Sequence, residues 1–243
     1  MLITSTDNSK IKYINKLKNK KYRDSENKFI IETFNLVEEA EKENLLSEVF
    51  LLEGEELPFN VSCPVYYITE TVMNKIKNVN TSKVIGICKK KEIDSIFGKR
   101  ILLLDGVSDP GNLGTIIRSS VAFDVDTIVL SLDSCDLYND KVIRASEGAI
   151  FKINILREDL EKVISKIKDL SINVYGTDVT NGIDVSSIFD DSYAVIMGNE
   201  GRGISEKIKK LVDKNIYIKT NNVESLNVGV ATSIILYELG KIK

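Results

Sequence analysis

Histidine is absent from the 243-residue chain. That removes imidazole general bases, His-containing triads and His metal ligands. Cysteine is scarce: Cys63, Cys88 and Cys135 are far apart, odd in number and form no CxxC pair. Such spacing argues for reduced thiols in a cytoplasmic protein and against a structural zinc site, so no metal is expected. No apolar run approaches membrane-spanning length, so no membrane partner is expected either. Met1-Leu2-Ile3-Thr4-Ser5-Thr6-Asp7 lacks the charged-then-apolar plan of a signal peptide. There is no internal repeat and no low-complexity tract. A net charge of −3 gives no global sign of nucleic-acid binding, so the distribution of charge carries more than its sum.

The length suits one large or two small domains with a real core. In the first part, strands and helices alternate, which indicates an α/β unit. Lys28-Phe29-Ile30-Ile31, Val49-Phe50-Leu51-Leu52, Val65-Tyr66-Tyr67-Ile68 and Val84-Ile85-Gly86-Ile87-Cys88 read as strands. Thr33 to Glu43 reads as a helix burying Leu36, Val37 and Ala40. Ser9 to Tyr22 reads as a single helix with Ile11, Ile14 and Leu17 on its apolar side. Around that side sit Lys10, Lys12, Lys16, Lys18, Lys20, Lys21 and then Arg23. Two readings of this row stand: a solvated lysine face, or a face that contacts RNA phosphates. The polar stretch Lys89 to Lys99 separates a first domain, 1–92, from a second, 98–243.

Three turns dominate the second domain. They are Asp109-Pro110-Gly111-Asn112-Leu113-Gly114-Thr115-Ile116-Ile117-Arg118, Met197-Gly198-Asn199-Glu200-Gly201-Arg202-Gly203 and Glu224-Ser225-Leu226-Asn227-Val228-Gly229. Each follows an apolar, strand-like run and leads toward helical periodicity. In an open α/β sheet, ligands collect at the carboxyl ends of strands, so three such turns predict one composite site. Asp105 to Gly111 reads as a loop, with Pro110 ending or turning an element. From Asn112 a helix is expected, with Leu113, Ile116, Ile117 and Val121 inward and Arg118 on the face of Gly114 and Thr115. Arg144 stands beside the small-residue patch Ala145-Ser146-Glu147-Gly148-Ala149, before a strand expected over Phe151 to Leu156. Asn227 is placed to cap the last helix, with Val230, Ile234 and Tyr237 as its stripe.

Together these stretches resemble the SpoU (TrmH-like) family of RNA ribose 2′-O-methyltransferases, within the SPOUT superfamily. The matching residues are Asn112, Gly114 and Arg118, then Gly198, Glu200, Gly201 and Gly203, then Ser225, Leu226, Asn227 and Val228. The resemblance runs from about Ile101 to the C-terminus. Ser9-Lys10-Ile11-Lys12 through Glu32, then Leu36-Val37-Glu38-Glu39-Ala40, is similar to the family's N-terminal substrate-binding domain. That module resembles α/β ribosomal RNA-binding proteins and is typical of members that modify large-subunit ribosomal RNA.

The resemblance implies a parallel-sheet SPOUT domain with a deep trefoil knot, a homodimer, and S-adenosyl-L-methionine bound bent in the knot. The groups around it would come from Thr177, Met197, Gly198, Asn199, Gly201, Tyr217, Ile218, Leu226, Asn227 and Ala231. RNA would meet the lysine row, Arg23 and Arg144. Arg118, held by Asn112 and Glu200, would orient the ribose 2′-OH and its phosphate. Ser225 and Asn227 would shape the pocket floor. The sequence departs from the family at Asn199, where Ser or Ala is more usual and the backbone matters most. It departs again at Tyr217-Ile218-Lys219, where Ile-Pro-Met is usual. The expected activity is methyl transfer to a ribose 2′-OH of 23S ribosomal RNA. The alternatives are a transfer-RNA 2′-O-methyltransferase of the same fold, or a non-catalytic RNA-binding or ribosome-assembly protein.

Overall fold

The computed structural model describes every residue except Asp94, Phe97, Thr180, Ile242 and Lys243. Two positions of the expected linker and the last two of the 98–243 domain therefore lie outside the described residues. The chain forms two compact units, Met1–Glu92 with Tyr138–Phe151, and Ile93–Leu137 with Lys152–Lys243.

The first unit runs β1 (Leu2–Ile3), α1 (Ser9–Leu17), α2 (Lys20–Glu26), β2 (Lys28–Glu32), α3 (Phe34–Lys42), β3 (Leu46–Leu52), β4 (Val65–Ile68), α4 (Glu70–Ile76) and β5 (Val84–Lys89). Its sheet has the order β1-β4-β3-β5-β2. Ile11, Ile14 and Leu17 of α1 pack with Ile30, Phe50 and Ile85 in the core. The single helix expected over Ser9 to Tyr22 is two. Asn19 interrupts it, because its side chain accepts from Lys21 N and starts α2 afresh.

The second unit begins with β6 (Arg100–Asp105), α5 (Pro110–Ala122) and β7 (Thr127–Leu130). The chain then supplies α6 (Asp140–Ala145) to the first unit. By sequence alone this segment belongs to the second domain. Phe29 explains the difference: its ring lies 4.6 Å from that of Tyr138 and 6.3 Å from that of Phe151. The second unit resumes with β8 (Asn154–Arg157), α7 (Leu160–Asp169), β9 (Asn173–Thr177), β10 (Ile183–Asp184), β11 (Tyr193–Gly198), α8 (Glu206–Lys209), β12 (Lys214–Tyr217) and α9 (Val228–Gly240). The strand expected from Phe151 starts later, since Ala149–Phe151 is a 3-10 turn.

All seven strands of the second sheet are parallel, in the order β10-β12-β9-β11-β6-β7-β8. β6 and β11 sit side by side in its interior and are buried on both faces, as continuous apolar runs require. The loop expected as far as Gly111 is shorter than that. Pro110 opens α5, where its missing N–H costs nothing, and Asp109 caps the helix by accepting from Asn112 N.

Candidate active site

The site is built where β6 and β11 end, with Gly198 paired opposite Asp105. A Cβ on Gly198 would lie 2.2 Å from the carbonyl carbon of Gly203, so only glycine lets the chain fold back here. Asn199 and Gly203 then exchange backbone hydrogen bonds of 3.0 Å. The Asn199 side chain clasps this turn. Its Oδ1 accepts from Gly201 N and Arg202 N, and its Nδ2 donates to Gly106 O at 2.7 Å. The sequence alone assigns this position a backbone role. The structure corrects that, because an amide side chain both donates and accepts.

Glu200 is the hub. Its carboxylate accepts from Ser108 N and Oγ, from Asp109 N at 3.0 Å and from Asn112 Nδ2 at 3.1 Å. Burial pushes this carboxyl up. Donation from Asn112 and from the backbone N–H groups of Glu200, Asp109 and Ser108 outweighs burial and holds it at about 2. Asn112 Oδ1 in turn accepts from Asn227 Nδ2 at 2.9 Å. Asn227 Oδ1 caps α9, accepting from Gly229 N and Val230 N. Three segments far apart in sequence are thereby joined in one hydrogen-bonded line.

Arg118 stands apart from it. The side chain is exposed and makes no hydrogen bond or ion pair among the described residues. Asn112 and Glu200 do not hold it, contrary to expectation, because Asn112 and the loop before α5 occupy Glu200. Ser225 is also exposed.

Beside Glu200 opens a cavity of about 630 Å³, within the usual range for small-molecule sites. Met197, Gly198, Asn199 and Gly201 line it from the β11 turn, Thr177 from β9, and Tyr217 and Ile218 from the end of β12. Leu226, Asn227 and Ala231 line it from the start of α9, with Glu200 and Ser225 at its edge. Every residue expected to meet the cofactor thus borders one space. Thr177 Oγ1 is engaged, donating to Ile196 O at 2.9 Å. Asp178 and Glu224 line the same cavity as Arg202 and Lys209, which offers both signs of charge to a zwitterionic tail. Apolar walls from Met197, Ile218 and Leu226 suit a flat ring. The donor set therefore fits S-adenosylmethionine.

The expected RNA-binding cations divide. Arg23 is only 7% exposed, and its Nη1 donates to Leu17 O and Lys18 O, closing the C-terminal end of α1. This position is corrected from a nucleic-acid contact to a cap. Lys10 pairs with Glu48 and lies over the Tyr66 ring, Lys12 pairs with Asp7, Lys20 with Asp24, and Arg144 with Asp140. Burial pulls the ammonium of half-buried Lys18 down. Lys16 and Lys21 have no ion pair among the described residues; Lys16 lies 5.8 Å from the Tyr22 ring.

Sequence reasoning also missed Ser108 and Asp109. Asp followed by Pro at the head of an apolar helix was the available signal for the cap. Nothing local announces that the same residues turn their N–H groups to a carboxylate on another strand.

A parallel sheet with a glycine-built turn and a two-signed cavity at its carboxyl edge defines a cofactor-binding α/β protein. Residues 99–237 match the SpoU rRNA Methylase family, and residues 8–86 match the MRM3-like substrate binding domain. The chain is 34% identical to the 23S rRNA (guanosine(2553)-2'-O)-methyltransferase RlmP of Bacillus subtilis (strain 168), over 98% of each chain. It superposes on the AdoMet-bound rRNA methyltransferase of Sinorhizobium meliloti with a TM-score of 0.85 and 27% identity, covering 99% of this chain and 97% of that one. An RNA 2'-O ribose methyltransferase gives a TM-score of 0.85 at 25% identity, covering 100% and 99%. The chain belongs to the SpoU rRNA methylase family, whose members transfer methyl groups to RNA.

Proposed function

We infer that this protein is an S-adenosylmethionine-dependent RNA methyltransferase acting on a ribose 2′-OH, with 23S ribosomal RNA as its substrate class. The observation that carries the reading is the Glu200–Asn112–Asn227 line beside the cavity. Likeness to a 23S rRNA 2'-O-methyltransferase over nearly the full length supports the substrate class.

A ribose hydroxyl is a weak acid and a poor nucleophile. S-adenosylmethionine, when bound, supplies a methyl group already activated on a sulfonium. What the chain must add is alignment and help with one proton. Alignment alone supplies up to roughly 7–11 kcal/mol in well-oriented systems. The cavity turns place the cofactor, and Asn112 and Asn227 hold the heads of α5 and α9 in one geometry. Arg118, exposed and without an ion pair among the described residues, orients the incoming hydroxyl and its phosphate through a planar fork of donors. Either the arginine or the phosphate it holds takes the hydroxyl proton.

On this reading the domain containing α1 to α4 holds RNA, through Lys16 and Lys21 first. The knot, the cytoplasmic location and a homodimer belong to the same proposal. Support for the dimer comes from α9. Of the expected stripe Val230, Ile234 and Tyr237, the first and last are 47% and 52% exposed and Ile234 is partly buried, while Thr232, Ile235, Leu236 and Leu239 face inward. Val230 and Tyr237, seven residues apart with partly buried Ile234 between them, give one apolar side that suits a second copy of the same helix.

The test is transfer of labelled methyl from the cofactor to ribosomal and transfer RNA, followed by mapping of 2′-O-methyl sites. Label in large-subunit RNA is expected. Label in transfer RNA alone would reassign the substrate, and none in either would leave an RNA-binding protein without chemistry.

A further inference from the structure

Arg157 closes β8 at the exposed rim of the sheet. Its guanidinium serves no carboxylate among the described residues. Nη1 donates to Ser131 O at 2.9 Å, to Ser134 O at 2.9 Å and to Leu132 O at 3.3 Å, and Nη2 donates to Cys135 O at 2.5 Å. One side chain thus gathers four carbonyls of the 131–135 loop, which has no regular structure of its own.

That loop is a template for another. Ser131 Oγ accepts from Gly106 N at 2.8 Å, and Cys135 N donates to Val107 O at 2.9 Å. Asp133 reaches the cavity turn through Arg202 at 2.6 Å. Gly106 needs its φ of +75°, and a Cβ there would come within 2.5 Å of Arg202 Nη2. The 106–109 loop so shaped presents Ser108 and Asp109 to Glu200.

We propose that Arg157 is a positioning residue for methyl transfer, holding the 131–135 loop so that the 106–109 loop aims its N–H groups at Glu200 and sets Asn112. The proposal rests on the reading of this protein as an RNA methyltransferase. Neither Arg157 nor residues 131–135 line the cavity among the described residues. Its effect falls first on the substrate side, since the Asp133–Arg202 pair that ties the loop to the cavity turn is exposed and contributes little. A lysine cannot replace it, since one ammonium has neither the reach nor the fork to serve four carbonyls.

The experiment compares wild type, Arg157→Lys and Arg157→Gln as full chains. Three quantities are read: amide exchange at Ser108 and Asp109, cofactor affinity by calorimetry, and single-turnover methyl transfer at saturating RNA. Exchange at both amides should quicken about tenfold or more as the loop opens locally. Transfer should slow by about tenfold or more, since small misplacements of reacting groups cost up to about 10²-fold. Cofactor affinity should stay within about threefold, as the cavity keeps its walls. Unchanged exchange and rate would overturn the proposal, and so would cofactor affinity falling in step with the rate. If Arg157→Gln does not fold, Ser131→Ala removes the acceptor for Gly106 N, together with the bonds to Asp133 and Ser134 inside the same loop, and should quicken the same two amides. A wild type that transfers no methyl would sink the functional reading, while the exchange comparison still decides whether Arg157 sets the loop.

Discussion

The polar groups around the β11 turn and those along α1 and α2 are organised by opposite rules. At the turn, partners come from afar: Glu200 binds Asn112 across 88 positions and Asn112 binds Asn227 across 115. Along α1 and α2, most partners are neighbours: Asn8 caps its own helix, Lys20 meets Asp24, and Arg23 folds back on Leu17 and Lys18. Long-range bonds between uncharged amides and a carboxylate build a shape for a ligand. Short-range pairs of lysines with carboxylates mostly neutralise charge, and exposed ones contribute little. A row of basic residues is therefore weaker evidence of a binding face than a few amides drawn together from distant turns.

The largest test of this contrast is Arg118, an exposed cation with no hydrogen bond or ion pair among the described residues. Arg118→Ala should fold and keep cofactor affinity, yet lose at least about 10²-fold in single-turnover transfer. A rate near that of wild type would mean that the unpaired guanidinium has no part in the chemistry.

Arg23 lies on the other side of the comparison. Arg23→Ala should cost about 1–3 kcal/mol of stability, because two carbonyls at the end of α1 lose a charged donor. Thermal unfolding measures this. Weaker RNA binding at undiminished stability would return Arg23 to the binding face.

A smaller effect attends Glu200. Its folded value of about 2 lies below the ordinary 4.5, so its ionised form stabilises the fold above about 4.5. That contribution drains away as pH falls from 4.5 toward 2. Glu200→Gln should flatten unfolding stability against pH across this window and leave the slope near neutral pH unaltered. Solvent screening of a partly exposed group keeps the change modest. An acid limb as steep as in wild type would place the titration elsewhere.

The smallest expected effect is that of Lys16 and Lys21. Changing both to Ala should lower the slope of log K against log salt by about 0.7–0.9 for each phosphate they had neutralised. The same change at ion-paired Lys12 and Lys20 should do less. Equal effects from both pairs would erase the distinction between free and paired cations.

Much of this was legible in the sequence. The apolar runs of β6 and β11 announced buried strands, and Gly198 and Asn227 announced a bend and a cap. The period of Leu36, Val37 and Ala40 gave the face of α3. What stayed hidden depends on partners that no local window contains. Asn19 breaks a helix that apolar spacing alone would continue, and Phe29 draws Tyr138–Phe151 away from the domain that encodes it. On α9, Val230 and Tyr237 match helical spacing as well as the truly buried residues do. Apolar character all round leaves the period without a preferred side.

The bond from Asn112 to Asn227 also sets an order in time. Asn227 heads α9, after every described strand, and the cavity borrows Leu226, Asn227 and Ala231 from the same stretch. During synthesis the first unit's strands can pair and its core can close early, since domains form as they emerge. The second sheet can set most of its parallel strands as well. Yet until the last helix arrives, Asn112 lacks its partner and the cavity lacks a wall. A nascent chain of this protein can be largely folded and still hold no complete site until α9 has emerged.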